Sequence, residues 1–280
     1  MTAGKRWIVM DEEDAGKIEL EEYIPGAVAA CTPITYETET LKAQAVILRT
    51  HILLMMGERQ SITEKELKLN HMNPTEMQTA WGYQEFAEQY EKIKSAVQAT
   101  YGQVVLYQNE LIYPPFHAVS AGKTRNGNEI AGKQVYPYLQ SVDSSQDLES
   151  EEYLKIEYYE RSEFVNLLRT YDETIVLEGE SLENAIRIER EDESGYVKNI
   201  LLNNGQIKIS GEEFRNLLEL NSTCFYIEDY EGNIRIVTKG LGHGIGFSEY
   251  GANQMAKQGS SYDIILQYYY KGTKIGTINE

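Results

Sequence analysis

The chain has 280 residues, and 41% of them are hydrophobic, so it can fill the core of one large domain or two small ones. Its 44 acidic and 26 basic residues give a net charge of −18, which repels nucleic-acid phosphates and anionic lipid headgroups and argues against both as partners. Cys31 and Cys224 are the only cysteines, which excludes a disulfide framework and a Cys-rich zinc site but leaves one disulfide between them open.

The N-terminal residues do not resemble a secretion signal, because they contain no hydrophobic segment. No apolar run in the chain approaches the ~20 residues that a transmembrane helix needs. From composition alone, the sequence predicts either a cytoplasmic protein or one from which an anchor has been removed.

The first part of the chain is predicted to contain one well-defined helix. Residues 17–24 indicate a short strand or the start of a helix. Residues 36–56 are predicted to form a helix that ends before Gly57, because apolar residues recur every three or four positions. The stripe that should be buried consists of Leu41, Ala45, Leu48, Ile52 and Met55.

The next segment contains a predicted helix and hairpin. Residues 58–90 are polar and weakly patterned, and the following residues predict a second helix that ends at Gly102. The β-rich runs VVLY and LIY, separated by residues 108–110, predict a hairpin. Its second strand is expected to carry His117 and Ser120 toward a glycine turn.

The second half of the chain mixes strands with short helices. Residues 146–193 are rich in glutamate and are predicted to form a small secondary lobe of a single domain that spans residues 1–280. A hairpin with its turn at Asn204–Gly205 and a helix that starts after Ser210 should follow. This alternation of helices and hairpins predicts the α+β class, with antiparallel hairpins and a substrate groove.

Near the C-terminus, five glycines surround His243 in residues 240–251, so the backbone can approach a ligand closely. A helix over residues 250–257 and another that is capped by Ser260 or Ser261 should follow. The glycine spacing matches neither phosphate-binding pattern, and AGKT at 121–124 is only a fragment of one, so we do not expect nucleotide binding.

Two segments carry a family resemblance: LKAQAVILRT at 41–50 and GHGIGFSEYGA at 242–252. They are similar to the signature blocks of the stage II sporulation protein D family, which also includes amidase enhancers. Four further blocks follow in the family's order, and they are LEEYIPGAVAA at 20–30, HAVSAGKT at 117–124, PYLQSV at 137–142 and SGEEFRNLLELNST at 210–223.

The resemblance implies a protein that acts on peptidoglycan. It implies glycan strands as the ligand, with a cell-wall amidase and sporulation membrane proteins as candidate partners, and neither a cofactor nor a metal. It also implies an extracytoplasmic location, with a membrane anchor in the full-length protein.

The family's catalytic residue is absent from this sequence. A lytic transglycosylase needs one carboxylic acid, which protonates the glycosidic oxygen and then helps the sugar's own hydroxyl to close a ring. The resemblance places that glutamate in a segment like Ala-Ala-Glu-Met-Pro, and residues 29–33 read Ala-Ala-Cys-Thr-Pro here. The resemblance therefore sets Cys31 at the position of the acid, and a thiol with a pKa of ~8.5 is a poor proton donor to an ether oxygen.

Three interpretations of Cys31 stay open. In the first, the groove binds glycan without cutting it, and Cys31 is a small apolar residue. In the second, Glu249 replaces the lost acid, since the family usually has glutamine there. In the third, Cys31 acts as a nucleophilic thiolate with His243 as its base, although no third orienting group is apparent.

The remaining candidates are predicted to bind the substrate, each against a structural alternative. The resemblance places Arg49 in the groove, where its guanidinium could hold a carboxylate or hydroxyls, and the alternative is an ion pair. Lys42, Gln44 and Ser120 belong to matching blocks, and His243 lines the groove or bonds the turn backbone. Tyr250 and Tyr269 are expected either to stack on sugar rings or to pack in the core.

Overall fold

A computed structural model describes residues 5–10, 16–127, 136–176 and 185–278. The chain divides into two compact units: the first comprises Met1–Pro115 and Ala252–Glu280, and the second comprises Phe116–Gly251. Helices and small, mostly antiparallel sheets occur in both units, which confirms the predicted α+β class.

The helices are numbered in chain order. They are α1 (Leu20–Cys31), α2 (Thr38–Met56), α3 (Glu64–Leu67), α4 (Pro74–Trp81), α5 (Phe86–Ala99), α6 (Arg161–Arg169), α7 (Gly211–Leu217), α8 (Glu249–Lys257) and α9 (Tyr262–Tyr269).

The strands are numbered in the same way. They are β1 (Trp7–Val9), β2 (Lys17–Glu19), β3 (Ser61–Thr63), β4 (Gln103–Tyr107), β5 (Glu110–Leu111), β6 (Phe116–His117), β7 (Leu154–Tyr159), β8 (Ile186–Glu191), β9 (Val197–Leu202), β10 (Ile207–Ser210), β11 (Phe225–Tyr230), β12 (Asn233–Lys239), β13 (Phe247–Ser248) and β14 (Lys274–Thr277).

Helix α2 is the centre of the first unit and lies close to its predicted bounds. It packs against α1 and α5, and strand β4 also contacts it. The predicted stripe is buried from Leu41 to Ile52, but its last member, Met55, is 43% exposed, so that part of the prediction is wrong. Other positions of α2 are buried as well, because the helix is covered on several sides.

The polar stretch 58–90 contains two helices that hydrophobic periodicity did not predict. Both begin in capping boxes: Thr63 exchanges hydrogen bonds with Glu66 at the start of α3, and Asn73 does so with Glu76 at the start of α4. Pro74 occupies the first turn of α4, where the missing N–H is not needed. The capping pattern, rather than an apolar stripe, was the available signal.

The hairpin of β4 and β5 is confirmed, but its predicted extension is wrong. Strand β5 ends at Leu111, whereas His117 lies in the separate strand β6. Strand β6 pairs in parallel with β13, and this pairing sets Phe116 opposite Phe247 and His117 opposite Ser248. The chain therefore closes the second unit by bringing its two ends together.

Two antiparallel sheets form most of the second unit. Strand β12 lies between β11 and β7, and β9 lies between β8 and β10. The predicted turn at Asn204–Gly205 joins β9 to β10, and Ser210 caps α7 as expected. The core between these elements includes Phe164, Leu168, Val197, Ile200, Ile209, Phe214, Phe225, Ile234 and Ile236.

The predicted lobe at 146–193 falls within the second unit, and its residues 177–184 lie outside the described residues. The two C-terminal helices are confirmed as α8 and α9, and Ser261 occupies the N-cap position of α9. The boundary between the two units falls within α8.

Candidate functional site

The residues that the sequence predicts as a site are distributed over both units. Those in the first unit are Cys31, Lys42, Gln44, Arg49 and Tyr269, and those in the second unit are Ser120, His243, Glu249 and Tyr250.

Cys31 is the last residue of α1 and is partly exposed. The helix ends there because the next residue, Thr32, is extended and donates its backbone N–H to the Val28 carbonyl at 2.9 Å. Cys31 and Cys224 are not joined by a disulfide in this structure.

Arg49 is fully buried, and protein groups hold its guanidinium. Its Nε and Nη2 donate to the two carboxylate oxygens of Glu21 at 2.6 and 2.7 Å, and its Nη1 donates to the Gln103 carbonyl at 3.0 Å. This bidentate pair joins α2 to α1. The geometry favours a structural role for Arg49, and its predicted contact with substrate stays a prediction.

Lys42 lies near the start of α2, where it pairs with Glu39 at 2.6 Å. Its ammonium also lies 5.8 Å from the centre of the Tyr262 ring. The other oxygen of Glu39 accepts the backbone N–H of Tyr262 at 2.9 Å, so Glu39 joins α2 to the first turn of α9. Lys42 thus supports the contact between α2 and α9 through its ion pair with Glu39.

Gln44 and Tyr269 are both buried in the first unit. Neither polar atom of the Gln44 side chain has a hydrogen-bond partner among the described residues. A buried amide without partners costs about 1–3 kcal/mol unless water or a ligand satisfies it, and the binding of substrate by Gln44 stays a prediction. Tyr269 is 1% exposed, which favours core packing over stacking on a sugar.

The glycine-rich loop of the second unit is packed tightly against its neighbours. Gly242 has φ +113°, and a Cβ there would lie 2.7 Å from the Cβ of His117. Gly244 has φ +73°, and a Cβ there would lie 2.3 Å from the Tyr196 hydroxyl. The Gly244 carbonyl also accepts the backbone N–H of Arg125 at 2.7 Å. Both positions therefore need glycine, because a larger residue would be strained at the positive φ and its side chain would collide with a neighbour.

Arg125 is a buried cation beneath this loop. Its Nε donates to Asp192 at 2.7 Å, and its Nη1 donates to the His243 carbonyl at 3.1 Å and to Glu212 at 3.2 Å. The guanidinium carbon also lies 4.8 Å from the centre of the Tyr196 ring. These contacts fix the loop backbone and leave the buried charge compensated.

His117 is buried under the loop, with its Nδ1 3.1 Å from the Ile245 carbonyl. Its Nε2 has no hydrogen-bond partner in the described part of the chain. Burial, followed by the neighbouring His243 ring at 5.6 Å, lowers the pKa of His117 to about 3. The ring is therefore neutral near pH 7, and Nε2 can accept a hydrogen bond when Nδ1 carries the proton.

His243 is partly buried and bonds the turn backbone. Its Nδ1 accepts the Ile245 N–H at 3.1 Å, which matches the structural alternative considered for it. Burial, then the charges of Arg215 and Arg125, lower the pKa of His243 to about 4, against a hydrogen bond to Phe116 that raises it. Groove lining by His243 stays a prediction.

Ser120 belongs to a second buried network, which is built on Asp147. Asp147 accepts the Ser120 backbone N–H at 2.8 Å and the Ser248 hydroxyl at 2.8 Å, while the Ser120 hydroxyl accepts the Gly122 N–H at 3.2 Å. Burial raises the pKa of Asp147, and the hydrogen bonds from Ser120 and Ser248 oppose this effect. The Ser120 hydroxyl thus stabilises the turn at residues 120–122.

Glu249 is the first residue of α8 and is 4% exposed. The next residue, Tyr250, is partly buried and donates its backbone N–H to the Ala118 carbonyl at 3.0 Å. Glu249 belongs to the second unit and Cys31 to the first, so a functional pairing of the two side chains stays a prediction.

Neither a metal-binding cluster nor a membrane-spanning helix occurs among the described residues. No group of three or more His, Cys, Asp or Glu side chains in those ranges is arranged to hold a metal ion. No helix there is both long and apolar enough to cross a bilayer.

Sequence reasoning missed several residues of this site. Arg125 directly follows the AGKT block, Asp192 lies in the segment that was assigned to a lobe, and Tyr196 lies at the start of the hairpin segment predicted after it. A buried arginine has no local sequence pattern, because its burial depends on partners 67 to 118 residues away.

Comparison with known proteins shows what the chain is similar to. Residues 11–107 match the family described as "Stage II sporulation protein". The chain is 34% identical over 266 residues to stage II sporulation protein D of Bacillus subtilis (strain 168), and the alignment covers 92% of this chain and 74% of that protein. The same protein of Bacillus amyloliquefaciens is 33% identical with the same coverage. The amidase enhancer of Bacillus subtilis (strain 168) is 24% identical over 297 residues, which cover 90% of this chain and 40% of that protein.

Proposed function

The chain belongs to the stage II sporulation protein D family, and from this premise we propose that it binds peptidoglycan glycan strands outside the cytoplasmic membrane without the family's usual cleavage of them. The proposal rests on Cys31, which the resemblance of residues 29–33 to the family's Ala-Ala-Glu-Met-Pro segment sets at the position of the acid. Cleavage requires a group that donates a proton to the glycosidic oxygen, and a thiol does so poorly near pH 7.

Glycan binding is supported by polar groups of the second unit that suit hydroxyl recognition. His117 keeps a buried nitrogen without a partner among the described residues, and its ring is neutral near pH 7. A sugar hydroxyl could donate a hydrogen bond to this nitrogen. The glycine-rich loop beside it is held in shape by Arg125 and Tyr196, so any ligand contact would be preorganised.

Glu249 carries the first alternative function, that of an active lytic transglycosylase with a relocated acid. The burial of Glu249 is a condition that suits an acid kept away from bulk water, but a glycan strand must still reach the carboxyl. Direct assay of a Glu249→Gln variant therefore decides between this alternative and binding without cleavage.

The amidase enhancer relative favours a second alternative, in which the chain stimulates a cell-wall amidase instead of acting on glycan itself. Nucleophilic catalysis by Cys31 with His243 is less well supported. The Nδ1 of His243 already accepts the Ile245 N–H, and its pKa of about 4 makes it a weak base.

The test compares the protein with Cys31→Glu, Cys31→Gln and Glu249→Gln variants on peptide-free glycan strands. Mass spectrometry detects the anhydro-sugar ends that transglycosylation leaves, and strand co-sedimentation measures binding separately. We expect the protein to bind strands and to produce no anhydro ends above background. Cys31→Glu should restore them, because it returns the carboxylic acid, and Cys31→Gln should not.

Each other outcome excludes one interpretation. Anhydro ends from the protein itself that disappear in Glu249→Gln would establish the relocated acid. Failure to bind strands, together with faster release of stem peptides by an added cell-wall amidase, would establish the amidase-stimulating alternative.

A further inference from the structure

The sheet of β7, β12 and β11 has one face that packs on the core of the second unit and one face that is open to solvent. In such antiparallel sheets the open face is normally polar. Here, strand β7 has the opposite pattern. Its outward residues Leu154, Ile156 and Tyr158 are 54%, 50% and 55% exposed, whereas Lys155 and Glu157 point to the inner side and pair with each other at 3.0 Å.

The neighbouring strands extend this apolar surface. Ile156 is opposite Val237 of β12, which in turn is opposite Tyr226 of β11, so the three side chains share the outer face. Tyr226 is 44% exposed and Tyr230, farther along β11, is 39% exposed. We call this surface the outer face, and its exposed apolar side chains are those of Leu154, Ile156, Tyr158, Tyr226 and Tyr230, which lie around the buried Val237.

The charges within the outer face are nearly balanced. Arg235 pairs with Glu228 at 2.5 Å and lies 4.3 Å from the centre of the Tyr230 ring. Lys239 lies 6.0 Å from the centre of the Tyr226 ring. With two cations and one carboxylate, this face carries no negative excess, whereas the whole molecule has a net charge of −18.

We propose that two copies of this chain associate through the outer face. Two molecules of charge −18 repel each other, and the repulsion is smallest where the facing surfaces are not themselves negative. Around a two-fold axis, Arg235 of one copy can also face Glu228 of the other, so an isologous contact leaves neither charge without an opposite charge. A basic partner would be drawn to the acidic remainder of the molecule instead.

The size of the outer face indicates a weak, reversible dimer. The exposed parts of three tyrosines and two aliphatic side chains amount to roughly 500 Å² per copy. That lies within the ~300–600 Å² of the largest apolar patch on a typical monomer, and it is below the ~800 Å² per partner of a standard interface. We expect a dissociation constant on the order of 100 μM, which should fall as salt screens the repulsion between the copies.

Sedimentation velocity over a concentration series tests the proposal on the whole chain. The variants are Ile156→Ser and Tyr226→Ser on the outer face, with Ile264→Ser and Tyr83→Ser as controls that each remove the same type of side chain at a more exposed position elsewhere. Thermal unfolding confirms that each variant is folded, which is expected because all four positions are at least 44% exposed.

The protein and the control variants should show a concentration-dependent dimer that tightens several-fold between about 20 mM and about 300 mM salt. Each outer-face variant should weaken it about tenfold. A monomer at every concentration and salt would overturn the proposal, and so would a dimer that the outer-face variants leave unchanged. Neither result depends on glycan binding, so this test is independent of the proposed function.

Discussion

His117 and His243 are neutral in the folded protein because burial opposes their charged forms. In the unfolded chain both have a pKa of ~6.5, but in the fold burial lowers the pKa of His117 to about 3 and that of His243 to about 4. The unfolded state therefore binds more protons between pH ~6.5 and pH ~4, and stability falls as the pH falls through this window. Asp147 has the opposite effect on the pH dependence of stability, because burial raises its pKa.

We expect the free energy of unfolding to decrease toward acid more steeply in the protein than in a His117→Asn variant. Removal of one such histidine should reduce the slope by up to ~1.4 kcal/mol per pH unit between pH ~6 and pH ~4. Asparagine keeps a donor for the Ile245 carbonyl, so the turn can be retained. Urea unfolding at a series of pH values measures the slope, and equal slopes for the two proteins would show that His117 is not held neutral.

Replacement of Arg125 tests whether the glycine-rich loop depends on a buried charge. An Arg125→Met change leaves Asp192 buried without its cation and removes the bond to the His243 carbonyl, so we expect a loss of about 3–5 kcal/mol. Arg161→Met is the matched control, because its pair with Asp229 is partly exposed and should cost at most about 1 kcal/mol. Equal losses in the two variants, measured by urea unfolding, would contradict a special role for Arg125.

The elements that the sequence predicted best are those with long periodic patterns. Helix α2 was predicted because its apolar residues repeat over about four turns, and the hairpin of β9 and β10 because Asn204–Gly205 marks its turn. The pairing of β6 with β13 could not be predicted, since each strand has two residues and their partners lie more than a hundred positions apart. Periodicity also cannot show that α2 is covered on more than one side.

The same limit applies to the candidate site. Cys31 and the glycine-rich loop were found because their local motifs resemble a family, but Arg125 and Asp192 meet only through tertiary folding. The sequence likewise could not decide whether Arg49 and Tyr269 are buried, because a charged or aromatic residue at a helical spacing can face either the solvent or the core.

The glycine-rich loop is an element whose shape depends on close contact. Gly244→Ala should cost about 1–2 kcal/mol for the positive φ, and more because its Cβ would meet the Tyr196 hydroxyl. Gly232→Ala is the control, since Gly232 has φ +85° and a Cβ there would meet nothing within 4 Å. A Gly244→Ala variant that unfolds at the same urea concentration as Gly232→Ala would show that the loop can relax.

The second unit has its own core and its own buried ion pair, and its first and last strands pair with each other. The first unit, in contrast, is built from two separate parts of the chain. A continuous segment with adjacent ends and a separate core has what an independent domain requires. At about 140 residues, a fragment over 116–258, which keeps α8 whole, is also long enough to bury a core.

We therefore expect this fragment to fold alone and to unfold in a single cooperative transition, as followed by circular dichroism during heating. A shorter fragment over 116–245 is the control, because it lacks β13 and Ser248. Strand β6 then loses its partner and Asp147 loses the Ser248 hydroxyl, so the shorter fragment should melt at a lower temperature or without cooperativity. If the longer fragment melts without cooperativity, the second unit depends on the rest of the chain, and the pairing of its end strands is not sufficient to close it.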